Sequence, residues 1–247
     1  SLAFAYLVAT ALATAVNAWL FSRRIHGIRL KPDSDWRPFV RESVPVGIST
    51  FFHTLSARAG LSLLALLAGP AATGIYSAAV RLPQALSNVP LGIFGAVLPA
   101  MAAHQEDARP LLRLFKKSLL VIVALAVPIV LFLVFLADPL IQLIYGSEYK
   151  ASADALKILA WSVVPVFVGM CFSHVLLSQH RLVGRLPYVT GTALAANVTA
   201  CFLLIPPYGV LGASVALVVN ETVLALGYVV AVWGFMRSAG RNVQPAK

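Results

Sequence analysis

The stretch GPAATGIYSAAVRLPQALSNVPLGIFGAVLPAMAAH occupies residues 69–104. From Ile75 to Ala103 it is mainly apolar, and a helix of that length crosses a bilayer with some tilt. Polar and small residues recur in it at steps of three or four, so at about 100° per residue they form one narrow stripe on a helix. The residues of this stripe are Ser77, Arg81, Gln84, Asn88, Gly92, Gly95 and Pro99. Because lipid offers an arginine or an asparagine no hydrogen-bond partner, we expect the stripe to face protein or water.

The composition is that of a helical membrane protein. Of the 247 residues, 60% are hydrophobic and only 11% are charged, whereas about a quarter of a soluble domain is charged. Long continuous apolar runs fit membrane helices and do not fit the alternating pattern of a β-barrel. The net charge of +10 comes mainly from loop residues, so we assign it to membrane orientation and not to nucleic-acid binding. The sequence therefore predicts an all-α, polytopic membrane protein.

The apolar runs predict seven transmembrane helices. They cover residues 2–21, 44–68, 75–103, 118–137, 156–177, 187–205 and 211–235. Residues 138–155 are too polar to span, and they predict a short interfacial helix that breaks at Gly146. We expect residues 1–42 to hold the first helix and a cytoplasmic linker, and residues 43–247 to hold a six-helix lobe.

The positions of Lys and Arg predict the orientation. The loops after predicted helices one, three and five and the C-terminal tail hold fifteen of the 19 Lys and Arg residues, and the other side holds two, Lys150 in its loop and Lys157 at the start of the next predicted helix. By the positive-inside rule, the chain starts outside a cytoplasmic membrane and its C-terminus is cytoplasmic. Aromatic residues near the predicted helix ends are expected to be interface anchors: Trp19, Trp161, Tyr188, Tyr208 and Trp233.

Two arginines lie inside predicted helices. At 1.5 Å per residue, Arg58 is about 15 Å and Arg81 about 10 Å from the outer surface. An arginine at the centre of a membrane helix costs about 2.5–3.5 kcal/mol, so we expect each to have a use. Guanidinium groups form paired hydrogen bonds with phosphate, which favours a cavity for an anionic group; a structural ion pair with Glu221 is the alternative. The candidate substrate-binding residues are these two arginines and polar residues of the same stripes: Arg58, Arg81, Gln84, Asn88, Thr54 and Ser62.

Two further residues are candidates for ion coupling. Glu221 is the acid inside a predicted helix, and His53 belongs to the residue type that carries protons near neutral pH. A buried, structural histidine is the alternative for His53. Asn88, Asn197 and Asn220 are expected to join helices through hydrogen bonds. We find no motif for a catalytic site, a metal site or a cofactor in the sequence.

Three segments resemble Wzx-like polysaccharide flippases. The sequence GIYSAAVRLPQALSNVPLGIFGAVLPAMA (74–102) resembles the helix pair that follows the mid-chain arginine in that family. The sequence ADPLIQLIYGSEYKASADALKILAW (137–161) is similar to the family's outer-face segment, and PPYGVLGASVALVVNE (206–221) resembles its last helix. These flippases belong to the superfamily that also holds the MATE drug exporters and the lipid II flippases.

The resemblance implies a transporter with two six-helix lobes around a central cationic cavity. Predicted helix one would be the last helix of the first lobe, the other helices would form the second lobe, and the rest of the N-terminal lobe would be a missing part of the same protein. The implied function is to flip a polyprenyl-diphosphate-linked oligosaccharide for surface polysaccharide (O-antigen, exopolysaccharide or capsule) assembly. It implies no enzymatic activity, and its partners would be the lipid bilayer and polysaccharide polymerases or glycosyltransferases.

Other functions stay open at this point. A cation-coupled MATE-type exporter of small amphiphiles would use acidic cavity residues, for which Glu221 is the candidate. A lipid II flippase is a further alternative. A membrane enzyme would need catalytic acids in a large outer loop, and the predicted outer loops are short. A membrane scaffold without transport would have no use for Arg58 or Arg81.

The predicted orientation can be tested by cysteine labelling. In a variant without Cys171 and Cys201, an impermeant thiol reagent added to intact cells should label single cysteines in residues 138–155. Cysteines in residues 104–117 and 178–186 should be protected, because these segments are predicted to be cytoplasmic. Labelling of residues 104–117 from outside would show that the orientation is wrong.

Overall fold

A computed structural model of the chain describes residues 8, 11–17, 19, 37–87, 108–178 and 182–241. These residues are helical apart from short turns, and no β-strand occurs among them. The chain divides into two compact units, Ser1–Val40 and Arg41–Lys247. In the first unit, residues 11–17 form one helical stretch with exposed side chains. The predicted all-α class is confirmed.

Six α-helices lie within residues 37–87, 108–178 and 182–241. They are α1 (Arg37–Leu86), α2 (Ala108–Phe135), α3 (Ala137–Tyr145), α4 (Ser152–Ala160), α5 (Val163–Ser178) and α6 (Leu186–Arg241). Short 3-10 helices cover Ser147–Tyr149 and Val183–Arg185.

Single glycines break the two longest helices. Gly69 in α1 has a φ of +84° and Gly209 in α6 has a φ of +54°, which a residue without a Cβ atom adopts readily. Each break divides its helix into two limbs: residues 37–68 and 70–86 of α1, and residues 186–208 and 210–241 of α6.

Four helical stretches are long and apolar enough to cross a membrane, judged by length and composition. They are Ser43–Leu86, Phe115–Phe135, Ser152–Leu177 and Val183–Trp233. Two of them have 44 and 51 residues and contain the glycine breaks, whereas one crossing needs about 20 residues. The chain is thus a multi-pass membrane protein. The count of seven helices stays a prediction, since much of predicted helices one and three lies outside the described residues.

The observed bounds differ from the predicted ones where polar residues continue a helix. α1 starts at Arg37 and α2 at Ala108, inside segments that the sequence assigns to loops, because Arg and Lys are good helix formers outside the membrane as well. Residues 70–74, which lie between two predicted helices, are helical. Pro70 follows the break directly, and a proline is tolerated at the start of a helix.

The segment of residues 138–155 has the predicted short helix and glycine break. α3 ends at Gly146, whose φ is +87°. The predicted helix of residues 156–177 starts earlier, at Ser152, and is interrupted at Ser162. There the Ser162 hydroxyl donates to the Leu159 carbonyl oxygen over 2.6 Å, which competes with the regular helical ladder.

The apolar core surrounds α5. The side chains of Val163, Phe167 and Leu176 on this helix are fully buried. α5 also comes close to the second limb of α6, since a Cβ atom on Gly169 would lie 3.5 Å from the Cα of Ala225. By contrast, the predicted interface anchors are all more than half exposed: Trp19, Trp161, Tyr188, Tyr208 and Trp233.

The break in α6 leaves no space for a side chain at Gly212, so a larger residue there should destabilise the fold. A Cβ atom there would overlap the carbonyl oxygen of Leu204, and overpacking of this kind costs about 1–3 kcal/mol. We expect Gly212→Ala to lower the melting temperature in detergent by several degrees, at about 2–4 °C per kcal/mol. The control is Gly47→Ala, since Gly47 has nothing within 4 Å of its Cβ position. Equal melting temperatures for the two variants would contradict this account of the break.

Candidate functional site

A buried hydrogen-bond network joins three helical limbs. The Ser56 hydroxyl of α1 donates to the Asn220 side-chain oxygen over 2.8 Å. The Asn197 amide donates to the Ser56 carbonyl oxygen over 2.9 Å and to the Ser56 hydroxyl oxygen over 3.0 Å. These three residues are at most 5% exposed. The predicted helix-joining role of Asn197 and Asn220 is therefore confirmed, and Asn88 lies outside the described residues.

The hydrogen-bond network continues to Glu221, the predicted ion-coupling residue. The Asn220 amide donates to the Glu221 carboxylate over 3.0 Å. Because Asn220 is itself held by Ser56, this bond limits the orientations available to the carboxylate. Glu221 is half-buried and borders two cavities.

The larger of these cavities, which we call the main cavity, has a volume of about 360 Å³. Its polar walls come from both limbs of α1, from the start of α5 and from the second limb of α6. The polar lining residues are His53, Tyr76, Ser77, Arg81, Gln84, Ser87, Ser162, Asn220 and Glu221. Ser77, Arg81 and Gln84, which the spacing predicts to share one helix face, thus line the same cavity.

The guanidinium group on the wall of the main cavity is free to bind an oxygen-rich anion, whereas two hydroxyl groups are already used. Ser77 and Ser87 donate their hydroxyl protons to carbonyl oxygens one turn back, of Thr73 over 2.7 Å and of Pro83 over 2.9 Å. Arg81, by contrast, is exposed and has no hydrogen bond or ion pair to any described residue. The guanidinium group is therefore available for two parallel hydrogen bonds to a phosphate or a carboxylate.

Tyr76 is a lining residue that the sequence analysis missed. It is 4% exposed, and its hydroxyl makes no hydrogen bond within the described part of the chain. A buried phenol normally has a partner, so Tyr76 is a candidate for contact with whatever occupies the cavity. The sequence offers no signal for it, because a residue next to Ser77 lies about 100° from the polar stripe on a helix.

The candidate residues of the first limb of α1 lie on two faces. Thr54, Arg58 and Ser62 are exposed and line neither of the two cavities. The Thr54 hydroxyl donates to the Thr50 carbonyl oxygen over 2.8 Å. His53, on the neighbouring stripe with the buried Ser56, lines both cavities.

The alternative ion pair of Arg58 with Glu221 is not formed in this structure. Among the described side chains, the ion pairs within 4.0 Å are those of Lys157, with Asp138 at 3.0 Å and with Asp154 at 3.2 Å. The same residues contain no cluster of three or more His, Cys, Asp or Glu that could hold a metal ion.

The smaller cavity, which we call the second cavity, has a volume of about 120 Å³. His53 and Glu221 belong to its wall as well as to that of the main cavity. Its remaining wall comes from α5 and the second limb of α6 and includes Ser173 and Tyr228.

Comparisons with known proteins give one family and one fold. The model of a family described as polysaccharide biosynthesis protein matches residues 1–154. No curated protein matches the chain. Among solved structures, an outward-facing conformation of a multidrug resistance MATE family transporter of the MOP superfamily matches with a TM-score of 0.72 and 19% identity. The match covers 96% of this chain and 55% of that transporter, so the chain spans about half of its length.

The network should be measurable as an energetic coupling. A double-mutant cycle with Ser56→Ala and Asn220→Ala should give a coupling energy of about 0.6–1.7 kcal/mol, the range of hydrogen bonds between membrane helices. Unfolding in mixed micelles supplies the four stabilities. The control pairs Ser56→Ala with Thr222→Ala, because the Thr222 hydroxyl is bonded to its own helix at Val218. A coupling for Ser56 and Asn220 no larger than in the control would contradict the network.

Proposed function

The chain belongs to the polysaccharide biosynthesis protein family, and from that premise we propose that it is one lobe of a lipid-linked oligosaccharide flippase. The proposed substrate is a polyprenyl-diphosphate-linked oligosaccharide, moved from the cytoplasmic to the outer leaflet of the cytoplasmic membrane for surface polysaccharide assembly. The movement needs binding and release in alternating conformations and no covalent chemistry, so we propose no enzymatic step.

Arg81 is the observation that carries the proposal. It is exposed, lies in a stretch able to cross a membrane, and lines a cavity of about 360 Å³ without a bonded partner among the described residues. A diphosphate offers oxygens on both phosphates, which a guanidinium group can bind in pairs. Gln84 on the same wall can donate to further phosphate or sugar oxygens.

We propose that a second helical lobe faces this wall. Arg58, Thr54 and Ser62 are exposed on a membrane-spanning stretch, and lipid cannot partner a guanidinium group. A facing lobe would cover these residues and would bring Arg58 to the substrate path together with Arg81. Rocking of one lobe against the other would then open the path to each side in turn.

Glu221 and His53 are proposed as the ion-coupling residues. Both line the main cavity, and the Asn220 amide holds the carboxylate. This acid also favours the second candidate function, cation-coupled export of small amphiphiles. The two candidates differ in the substrate: the flippase requires a diphosphate, whereas the exporter does not.

Removing the Arg81 charge tests the proposal. A hydrogen bond to a charged group contributes about 1.5–3 kcal/mol, so we expect Arg81→Ala, in proteoliposomes that contain both lobes, to reduce flipping of a polyprenyl-diphosphate oligosaccharide by about 10–100-fold. Arg81→Lys should recover only part of the rate, because it keeps the charge and loses the planar pair of donors. Accessibility of the sugar to an external lectin gives the rate.

The matched control for this assay is Lys116→Ala. It removes one positive charge from an exposed position of α2 that lines neither cavity, and it should flip at the rate of the unaltered protein. Normal flipping by Arg81→Ala, with protein levels equal to the control, would overturn the diphosphate site. If small amphiphiles are exported and the diphosphate substrate is not moved, the second candidate is the correct one.

A further inference from the structure

His53 and Glu221 stand between two cavities that differ threefold in size. The main cavity has about 360 Å³ and the second cavity about 120 Å³, and both residues belong to both walls. A group in such a position can exchange protons with either space. Arg81, the proposed partner of the diphosphate, lines the main cavity and not the second one, so the function of the second cavity is a separate question.

The second cavity extends towards the end of α5 and α6 where the turn Val183–Arg185 lies. The main cavity reaches Val166 on α5 and Glu221 on α6, and the second cavity reaches Ser173 and Tyr228. That is seven residues further on each helix, or about 10 Å at 1.5 Å per residue. The Arg185 guanidinium donates to the Ala231 carbonyl oxygen over 2.6 Å and holds the turn at this end.

Four polar residues, His53, Ser173, Glu221 and Tyr228, offer partners for water on the otherwise apolar wall of the second cavity. Tyr228 is 8% exposed, and its hydroxyl has no hydrogen bond to any residue that the structure describes. The Ser173 hydroxyl donates to the Met170 carbonyl oxygen over 3.0 Å, which leaves its oxygen free to accept. At about 30 Å³ per molecule, the volume holds about four waters, and it is too small for an oligosaccharide.

We propose that the second cavity is a proton pathway that connects Glu221 and His53 to the side of the membrane where Val183–Arg185 lies. The proposal rests on the ion-coupling part of the proposed function. A hydronium ion in either cavity gives its proton to the Glu221 carboxylate or the His53 imidazole and leaves water. The reverse transfer, to a water molecule in the other cavity, restores the group, so only O–H and N–H bonds change.

Other titratable groups also face this pair. From α1, Tyr76 and Arg81 line the main cavity, and from the second limb of α6 Tyr228 lines the second cavity. Cys201, on the first limb of α6, donates its thiol proton to the Asn197 side-chain oxygen at 3.6 Å and lines neither cavity. The lining residues of α5 are uncharged. Glu221 and His53 are thus the carriers common to both cavities.

The first test is access of water to the second cavity. In a variant without Cys171 and Cys201, Ser173→Cys should react with a small, hydrophilic thiol reagent added on the Val183–Arg185 side, and at least tenfold faster than from the other side. The control is Leu226→Cys, on the 58% exposed apolar surface of α6, which should stay unlabelled because a thiol facing lipid does not ionise. Protection of Ser173→Cys from both sides would overturn the pathway.

The second test follows the proton itself. After a pH jump on that side of proteoliposomes, the infrared band of the protonated Glu221 carboxyl, identified by its loss in Glu221→Gln, should change quickly. Ser173→Leu fills part of the cavity and should slow this change at least tenfold. The control, Ala195→Leu, adds a larger side chain at an exposed position of α6 outside both cavities. It should leave the rate of the infrared change unaltered. Equal rates in the two variants would overturn the pathway, and if Ser173→Leu does not fold, the labelling result decides.

Neither test uses an oligosaccharide. Failure of the flippase assay would therefore leave the labelling and infrared results standing, and the pathway would then serve another transported substrate. Conversely, normal flipping with Ser173→Cys protected and with no infrared response would overturn the pathway alone.

Discussion

Hydrogen bonds among Ser56, Asn197 and Asn220 hold together limbs that lie far apart in the chain. Inside a membrane, a polar group must find its partner within the protein, because lipid supplies none. The network therefore determines which face of the first limb of α1 turns inward. With Ser56 directed to the interior, His53 lines both cavities, whereas Arg58 lies on another face of the limb and lines neither. The same network orients Glu221 through Asn220, so the packing and the candidate chemistry depend on one set of bonds.

The fold was predictable as far as hydropathy decides it. Apolar runs locate the membrane stretches, and the breaks at Gly69 and Gly209 fall between predicted helices. The errors concern helix ends. α1 begins at Arg37 and α2 at Ala108, because a helix continues into water when its residues favour it, and hydropathy reports only where the lipid ends. The interruption at Ser162 depends on a local hydroxyl bond that no periodicity reveals.

The candidate site was predictable in part, for a geometrical reason. Ser77, Arg81 and Gln84 share a stripe, and residues of one stripe face one environment whatever the neighbours are, so their common cavity wall follows from spacing. The first limb of α1 has two polar stripes, and only its neighbours decide which one turns inward. Sequence alone could therefore not rank His53 above Arg58. Tyr76 was missed because a tyrosine in an apolar run gives no sign of whether its hydroxyl has a partner.

The two cavities share His53 and Glu221, and the structure between them must prevent a continuous column of water. If water ran through continuously, the membrane would leak protons, so the proton must be carried across by side chains held in place. The bond from Asn220 to Glu221 supplies that restraint on one carrier, and Asn220 is in turn restrained by Ser56. In the proposed flippase the substrate path, by contrast, would require a large movement between lobes, since an oligosaccharide cannot pass through the packed core around Phe167. A proton path inside one lobe needs no such movement, which lets the proton enter or leave while the lobes stay closed. The proposed proton path therefore requires the rigid hydrogen-bond network between the two cavities, and the proposed substrate path requires movement between the lobes.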